Sequence, residues 1–165
     1  MPLIYIIEDD EDIRELVLYA LKSNGFEAKG FESGHTLFKS PIPDLILLDI
    51  MLPGDDGYTI LNKLKKNFRT SDIPVIMLTA KTSELDKVKS LDMGADDYIE
   101  KPFGIMELIS RVKAVLRRSK RNENRVVSFR EITIDYDKYL VTVNDKNIKL
   151  THKEFELLYY LVRNQ

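Results

Sequence analysis

The sequence predicts an α/β protein: a five-stranded, doubly wound parallel sheet, then a linker, then a partial α+β segment of four antiparallel strands and one helix. Three observations predict it. Over residues 1–118, short continuous apolar runs alternate with stretches of helical periodicity, the pattern of strands buried on both faces with helices between them. The polar, apolar-free stretch Ser119–Asn124 then interrupts the chain. Beyond it the period changes to short β-type runs separated by turn residues.

Each element has its own signal. Leu3–Ile7 is an uninterrupted apolar run and reads as the first buried strand. Ile13, Leu16, Val17, Ala20 and Leu21 recur at helical spacing, with Gly25 just past the helix end. Phe26–Phe31 is a weaker strand, followed by a short helix around Thr36–Lys39. Pro43 precedes the strand Leu45–Leu48, and Tyr58–Lys66 carries Ile60, Leu61 and Leu64 on one helical side. Val75–Leu78 is the fourth strand, Leu85, Val88 and Leu91 mark a fourth helix, and Tyr98-Ile99 centre the fifth strand. Ile105, Leu108, Ile109, Val112, Val115 and Leu116 predict a long amphipathic fifth helix. After the linker come four β-type runs, Val126–Phe129, Glu131–Asp135, Tyr139–Val143 and Asn147–Leu150. Thr151 and Glu154 then fit a capping box opening a helix with Phe155, Leu158, Tyr159 and Val162 on one side.

Composition narrows the function. The 165 residues are 32% charged and 44% hydrophobic, a globular balance. No apolar run reaches the ~20 residues of a membrane span, and the longest, Leu45–Leu52, is broken by Asp49. The acidic N-terminus is not a signal peptide. With no cysteine, disulfides, zinc-thiolate sites and thiol nucleophiles are excluded, and a cytoplasmic home with no membrane partner is expected. The net charge of −2 argues against nucleic acid as the partner of the whole chain. Residues 119–165 carry a net +2 and residues 1–118 a net −4, so the charge balance shifts at the predicted linker.

In an open α/β sheet, ligands bind beyond the carboxyl ends of the strands. There the sequence puts Glu8-Asp9-Asp10, Asp49, Thr79 and Lys101. Glu11 and Asp12 complement a helix dipole, but Glu8, Asp9 and Asp49 stand outside any helix. Carboxylates so crowded raise one another's pKa unless a cation joins them. Hard oxygen ligands in this number suit magnesium, and the contiguous acids lack the spacing of a calcium loop. Asp49 is the candidate nucleophile, able to carry a phosphoryl group as an acyl phosphate. Lys101 and the Thr79 hydroxyl would take the remaining phosphoryl oxygens.

Ile6–Asp10, Asp44–Gly54, Leu78–Ala80 and Gly94–Phe103 resemble, in order over residues 3–118, the receiver domain of bacterial two-component response regulators. The stretch ending in Leu150–Leu158 resembles the opening of the winged-helix effector domain of the OmpR/PhoB subfamily. The resemblance implies a flavodoxin-like phospho-acceptor receiver at 1–118, a linker at 119–124, and the N-terminal part of a winged-helix DNA-binding domain at 125–165. It implies that Asp49 takes its phosphoryl group from a sensor histidine kinase. Magnesium would be held by Glu8, Asp9, Asp49 and the main-chain carbonyl of Met51. Thr79 and Tyr98 would form a switch pair, and Lys101 would contact the phosphoryl group ahead of a cis Pro102.

The same resemblance implies a two-fold receiver homodimer through the fourth helix, fifth strand and fifth helix, counting the short helix at Thr36–Lys39 as the second. Lys87, Asp92, Asp96 and Asp97 would there face Glu107, Arg111, Lys113 and Arg117. The recognition helix and wing of the subfamily would follow residue 165. The chain is therefore expected to be a fragment, with promoter DNA a partner only of a full-length form. His35 and His152 lie in polar surroundings and are expected at the surface, leaving the donor histidine to another protein. A magnesium-dependent phosphohydrolase with an Asp nucleophile is the nearest enzyme alternative, but Met51 stands where its second carboxylate belongs. A flavin module is disfavoured because Glu8–Asp12 would repel a bound phosphate. The expectation is a switch rather than a turnover enzyme.

Overall fold

The computed structural model describes residues 1–67, 69–80, 83–123 and 126–164. Two compact units are present, Met1–Leu116 and Arg117–Gln165. In the first, β1 (Leu3–Ile7), β2 (Glu27–Phe31), β3 (Leu45–Asp49), β4 (Val75–Thr79) and β5 (Asp97–Glu100) form one parallel sheet in the order β2-β1-β3-β4-β5. Between them lie α1 (Glu11–Ser23), α2 (Gly57–Lys66) and α3 (Glu84–Asp92), and α4 (Ile105–Glu123) follows β5.

The uninterrupted apolar runs are explained by the two layers they feed. Ile4, Ile6, Leu45, Leu47, Ile76, Leu78 and Ile99 pack with Val17 and Leu21 of α1 and Leu108 and Val112 of α4. The alternate residues Tyr5, Ile7, Ile46, Leu48, Val75 and Met77 pack on the opposite face with Ile60, Leu61 and Leu64 of α2. Helix starts follow the expected capping chemistry. Asp10 Oδ1 accepts from Ile13 N at 3.0 Å, Asp56 Oδ1 from Thr59 N at 2.8 Å, and Ser83 Oγ from Asp86 N at 3.2 Å. Gly25, at φ +83°, follows the Asn24 cap of α1.

The structure sharpens several of the expected elements. The short helix expected at Thr36–Lys39 is a 3₁₀ helix spanning Gly34–Lys39. Leu85, Val88 and Leu91 do mark a helix, α3, but all three are exposed and the helix buries Ser90. The polar stretch from Ser119 continues α4 as far as Glu123, because its Lys, Arg and Glu residues favour a helix and nothing in it breaks one. Asn124 and Arg125, where the predicted linker ends and the predicted second domain begins, lie outside the described residues.

The second unit contains an antiparallel sheet of β6 (Val126–Phe129), β7 (Ile132–Asp135), β8 (Leu140–Val143) and β9 (Lys146–Ile148), in sequence order, with α5 (His152–Arg163). Asn144 and Asp145, both at positive φ, make the two-residue turn between β8 and β9. Thr151 and Glu154 form the expected capping box. Ile134, Val141, Phe155 and Tyr159 form the buried core. Leu157, Tyr160 and Leu161 are exposed on the other side of α5. Among the described residues, no helix is long and apolar enough to cross a membrane.

Candidate functional site

The sheet order reverses between β1 and β3, and the polar residues gather beyond the strand ends on that side. Glu8 and Asp9 follow β1, Asp49 ends β3, Thr79 ends β4, and Lys101 follows β5. Asp49 is in register with Leu78 and Thr79 with Glu100, so the ends are level. The Lys101 amide donates to the Thr79 carbonyl at 2.7 Å, which extends the ladder one residue past β5.

The turn after β3 is set by a close approach. Gly57 N donates to the Ile50 carbonyl at 2.8 Å, and a Cβ at Gly57 would lie 2.2 Å from the Asp49 carbonyl oxygen. Only glycine lets α2 begin there. The Met51 amide donates to Asp49 Oδ1 at 3.1 Å and orients the carboxylate. Across the rim, the Asp10 amide donates to Glu8 Oε1 at 3.2 Å, while the Asp10 side chain is used as a helix cap.

Carboxylate oxygens of Glu8, Asp9 and Asp49 lie within 4.8 Å of one another. Glu8 and Asp49 are buried and Asp9 is exposed. Lys101 Nζ bridges the buried pair, 2.6 Å from Glu8 Oε2 and 2.9 Å from Asp49 Oδ2. Burial pushes the Glu8 carboxyl above its ordinary range, and the charge of Asp49 adds to this, against the opposing pull of Lys101. Burial works against the Lys101 ammonium, but its hydrogen bonds to Glu8 and Asp49 outweigh it and hold its pKa above the usual lysine value. The Lys101–Pro102 peptide is cis.

Three carboxylates against one ammonium leave negative charge that a divalent cation would neutralise, and the all-oxygen donor set suits magnesium. Thr79 is buried at the end of β4. Tyr98 is half-buried on β5 and packs at the margin of the α2-side core. Lys87 of α3 lies 5.1 Å from the centre of its ring and is ion-paired to Glu100.

The charges expected on a dimer face do not all share one role. Arg111 pairs within the chain with Asp97, at 3.1 Å, and with Glu107, at 3.1 Å. Asp92, Lys113 and Arg117 are exposed. Asp96 is exposed but bonded within its own chain: its Oδ2 accepts from Val75 N at 2.9 Å and lies 3.8 Å from Lys65 Nζ. His35 and His152 are exposed, as expected, with His152 stacked on Tyr139. The motifs do not single out Arg14 or Glu100, yet both contact site residues. Gly30, a glycine inside a strand, is the sequence signal that something crosses β2 closely.

The family of response regulator receiver domains matches residues 4–113. The phosphate regulon transcriptional regulatory protein PhoB of Klebsiella pneumoniae is 42% identical, over 96% of this chain and 71% of that protein. The protein of the same name from Escherichia coli K12 is 41% identical over the same shares. The crystal structure of DrrB, a Thermotoga maritima OmpR/PhoB homologue, superposes with a TM-score of 0.66 at 33% identity, covering 99% of this chain and 73% of that one. On these matches, and on the sheet order and strand-end residues described above, the chain belongs to the two-component response regulators, with a receiver domain of the OmpR/PhoB type.

Proposed function

We propose that Asp49 is the phosphoryl acceptor of this regulator and that a sensor histidine kinase is the donor. The observation that carries this is Lys101, which spans Glu8 and Asp49 across the rim where the three carboxylates meet. An Asp49 oxygen attacks phosphorus as the bond to the donor's imidazole nitrogen breaks; the electron pair leaves on that nitrogen and an acyl phosphate forms. Magnesium, held by Glu8, Asp9, Asp49 and the Met51 carbonyl, would neutralise phosphoryl oxygens. Lys101 exchanges its contact with Asp49 for one with the carried group, and the Thr79 hydroxyl donates to another oxygen.

Movement of Thr79 would open space for the Tyr98 ring and repack the face of α3, β5 and α4, through which two receivers would pair. The ion pairs of Lys87 with Glu100 and of Arg111 with Asp97 would then compete with pairs across the dimer. Residues 1–118 would be the receiver, 119–124 the linker and 125–165 the start of a winged-helix DNA-binding domain. The apolar outer face of α5 supports the last assignment, since further elements would cover it in a complete domain. Promoter DNA would be a partner of that complete form, acting in the cytoplasm. The phosphohydrolase reading is not favoured: Met51 offers no general acid or base to discharge the acyl phosphate.

Intact-mass spectrometry after treatment with acetyl phosphate and Mg²⁺ tests this. One phosphoryl group on the wild type, with none on Asp49→Asn or without Mg²⁺, is the expected result. Equal labelling of Asp49→Asn would overturn it.

A further inference from the structure

We infer that Arg14 is a positioning residue for the acidic site, holding the main chain of Glu8 and Asp9 through a passage that Gly30 leaves open. The inference rests on the reading of Glu8 and Asp9 as metal-holding residues and extends it to a residue outside the motifs.

β1 and β2 pair as far as Ile7 and Phe31, and the Glu8 amide still bonds the Phe31 carbonyl at 3.0 Å. The carbonyls of Glu8 and Asp9 lie past that last rung. Arg14 serves both: its Nη1 donates to the Glu8 carbonyl at 2.7 Å and to the Asp9 carbonyl at 3.3 Å. One guanidinium thus ties together the two residues that bring two of the three carboxylates to the rim. Its base is fixed as well. Asp10 caps α1, and the Arg14 amide bonds the Asp10 carbonyl at 3.0 Å, so the side chain leaves from a settled helical turn.

The route of the side chain explains a glycine in β2. A Cβ at Gly30 would lie 3.0 Å from both Cγ and Cδ of Arg14 and 3.0 Å from Leu18 Cδ1. Glycine weakens a strand interior, and a close crossing is the usual reason for one. Here the crossing groups are the Arg14 stem and a methyl of Leu18. A lysine could offer its point charge to a carbonyl, but without the rigid guanidinium plane that fixes Nη1 between the two carbonyls.

Residues that orient metal-holding groups from behind cost about 10–100-fold in metal affinity when removed. The test is Mg²⁺ titration of the whole 165-residue chain, followed by thermal unfolding, for wild type, Arg14→Ala, Arg14→Lys and Gly30→Ala. Unfolding without metal is measured in parallel. We expect Arg14→Ala to weaken Mg²⁺ binding by about tenfold or more. Arg14→Lys should lose less, and Gly30→Ala, which crowds the stem while keeping the guanidinium, should shift affinity in the same direction.

A purely structural role would lower the metal-free unfolding temperature and leave the Mg²⁺ dissociation constant unchanged. That result in Arg14→Ala overturns the inference while Asp49 labelling stands. Should Arg14→Ala fail to fold, unchanged Mg²⁺ affinity in both Arg14→Lys and Gly30→Ala overturns it. A wild type that gains no stability from Mg²⁺ overturns both this inference and the reading beneath it.

Discussion

Lys101 and Glu8, 93 residues apart in the chain, meet at 2.6 Å at the rim of the sheet, the ammonium reaching a carboxylate that is almost wholly buried. A buried pair of this kind is weak ground for stability, because each charge has given up water.

Glu8 gives a prediction with a definite sign. Its carboxyl titrates above the ordinary value in the fold, so the folded state binds that proton more tightly than the unfolded chain. The stability this contributes is complete below the unfolded pKa and is lost as pH rises through the folded one. At neutral pH the ionised group is a liability. Glu8→Gln is therefore expected to raise the metal-free Tm at pH 7–8 by about 2 °C or more, and to narrow that advantage near pH 4. Mg²⁺ at 100 times its dissociation constant should add about 2.7 kcal/mol to the wild type and less to the variant. Scanning calorimetry across pH, with and without Mg²⁺, checks both.

Gly57 gives the second. A Cβ there would meet the Asp49 carbonyl oxygen at 2.2 Å, with the Ile50 Cα also too close at 2.6 Å. Gly57→Ala must push α2 away from the end of β3 and carry Asp49 with it. The expected cost is about 1–3 kcal/mol of stability, together with slower labelling by acetyl phosphate. Chemical denaturation and a labelling time course measure the two effects.

Asp96 has structural partners within its own chain. Its carboxylate accepts from the Val75 amide at the start of a buried strand. Asp96→Ala is expected to lower stability by about 1–2 kcal/mol and to leave the self-association of the phosphorylated protein unchanged. Denaturation and sedimentation velocity distinguish these outcomes.

Glu100 is tied to the proposed switch through Lys87, which it holds over the Tyr98 ring. Glu100→Gln releases that cation. Both side chains are partly open to solvent, so the expected change is small, a shift of up to about fivefold toward the dimer in sedimentation with beryllofluoride. No shift, or a shift toward monomer, would count against a restraining role.

Much of the receiver was legible because its strands are buried on both faces, so Leu3–Ile7 and Val75–Leu78 carry uninterrupted apolar runs. Glu8, Asp49, Thr79 and Lys101 were legible for a related reason: strand ends are easy to find, and polar residues at them stand out. Leu85, Val88 and Leu91 locate α3, but helical spacing identifies an apolar stripe without saying whether anything covers it, and all three are exposed. Asp96 and Asp97 are neighbours with the same charge, yet one fastens the start of β4 and the other pairs with Arg111. Arg14 is not legible in the sequence because it bonds main-chain carbonyls, which leave no trace in side-chain patterning.

The most direct measurement of the central claim is a crystal structure of the chain with Mg²⁺ and beryllofluoride. The account predicts beryllofluoride bonded to an Asp49 oxygen, a metal ion beside it within reach of Glu8, Asp9 and the Met51 carbonyl, and Lys101 turned to the fluorines. A rim that stays empty under saturating conditions, or beryllofluoride bound at another carboxylate, would contradict it.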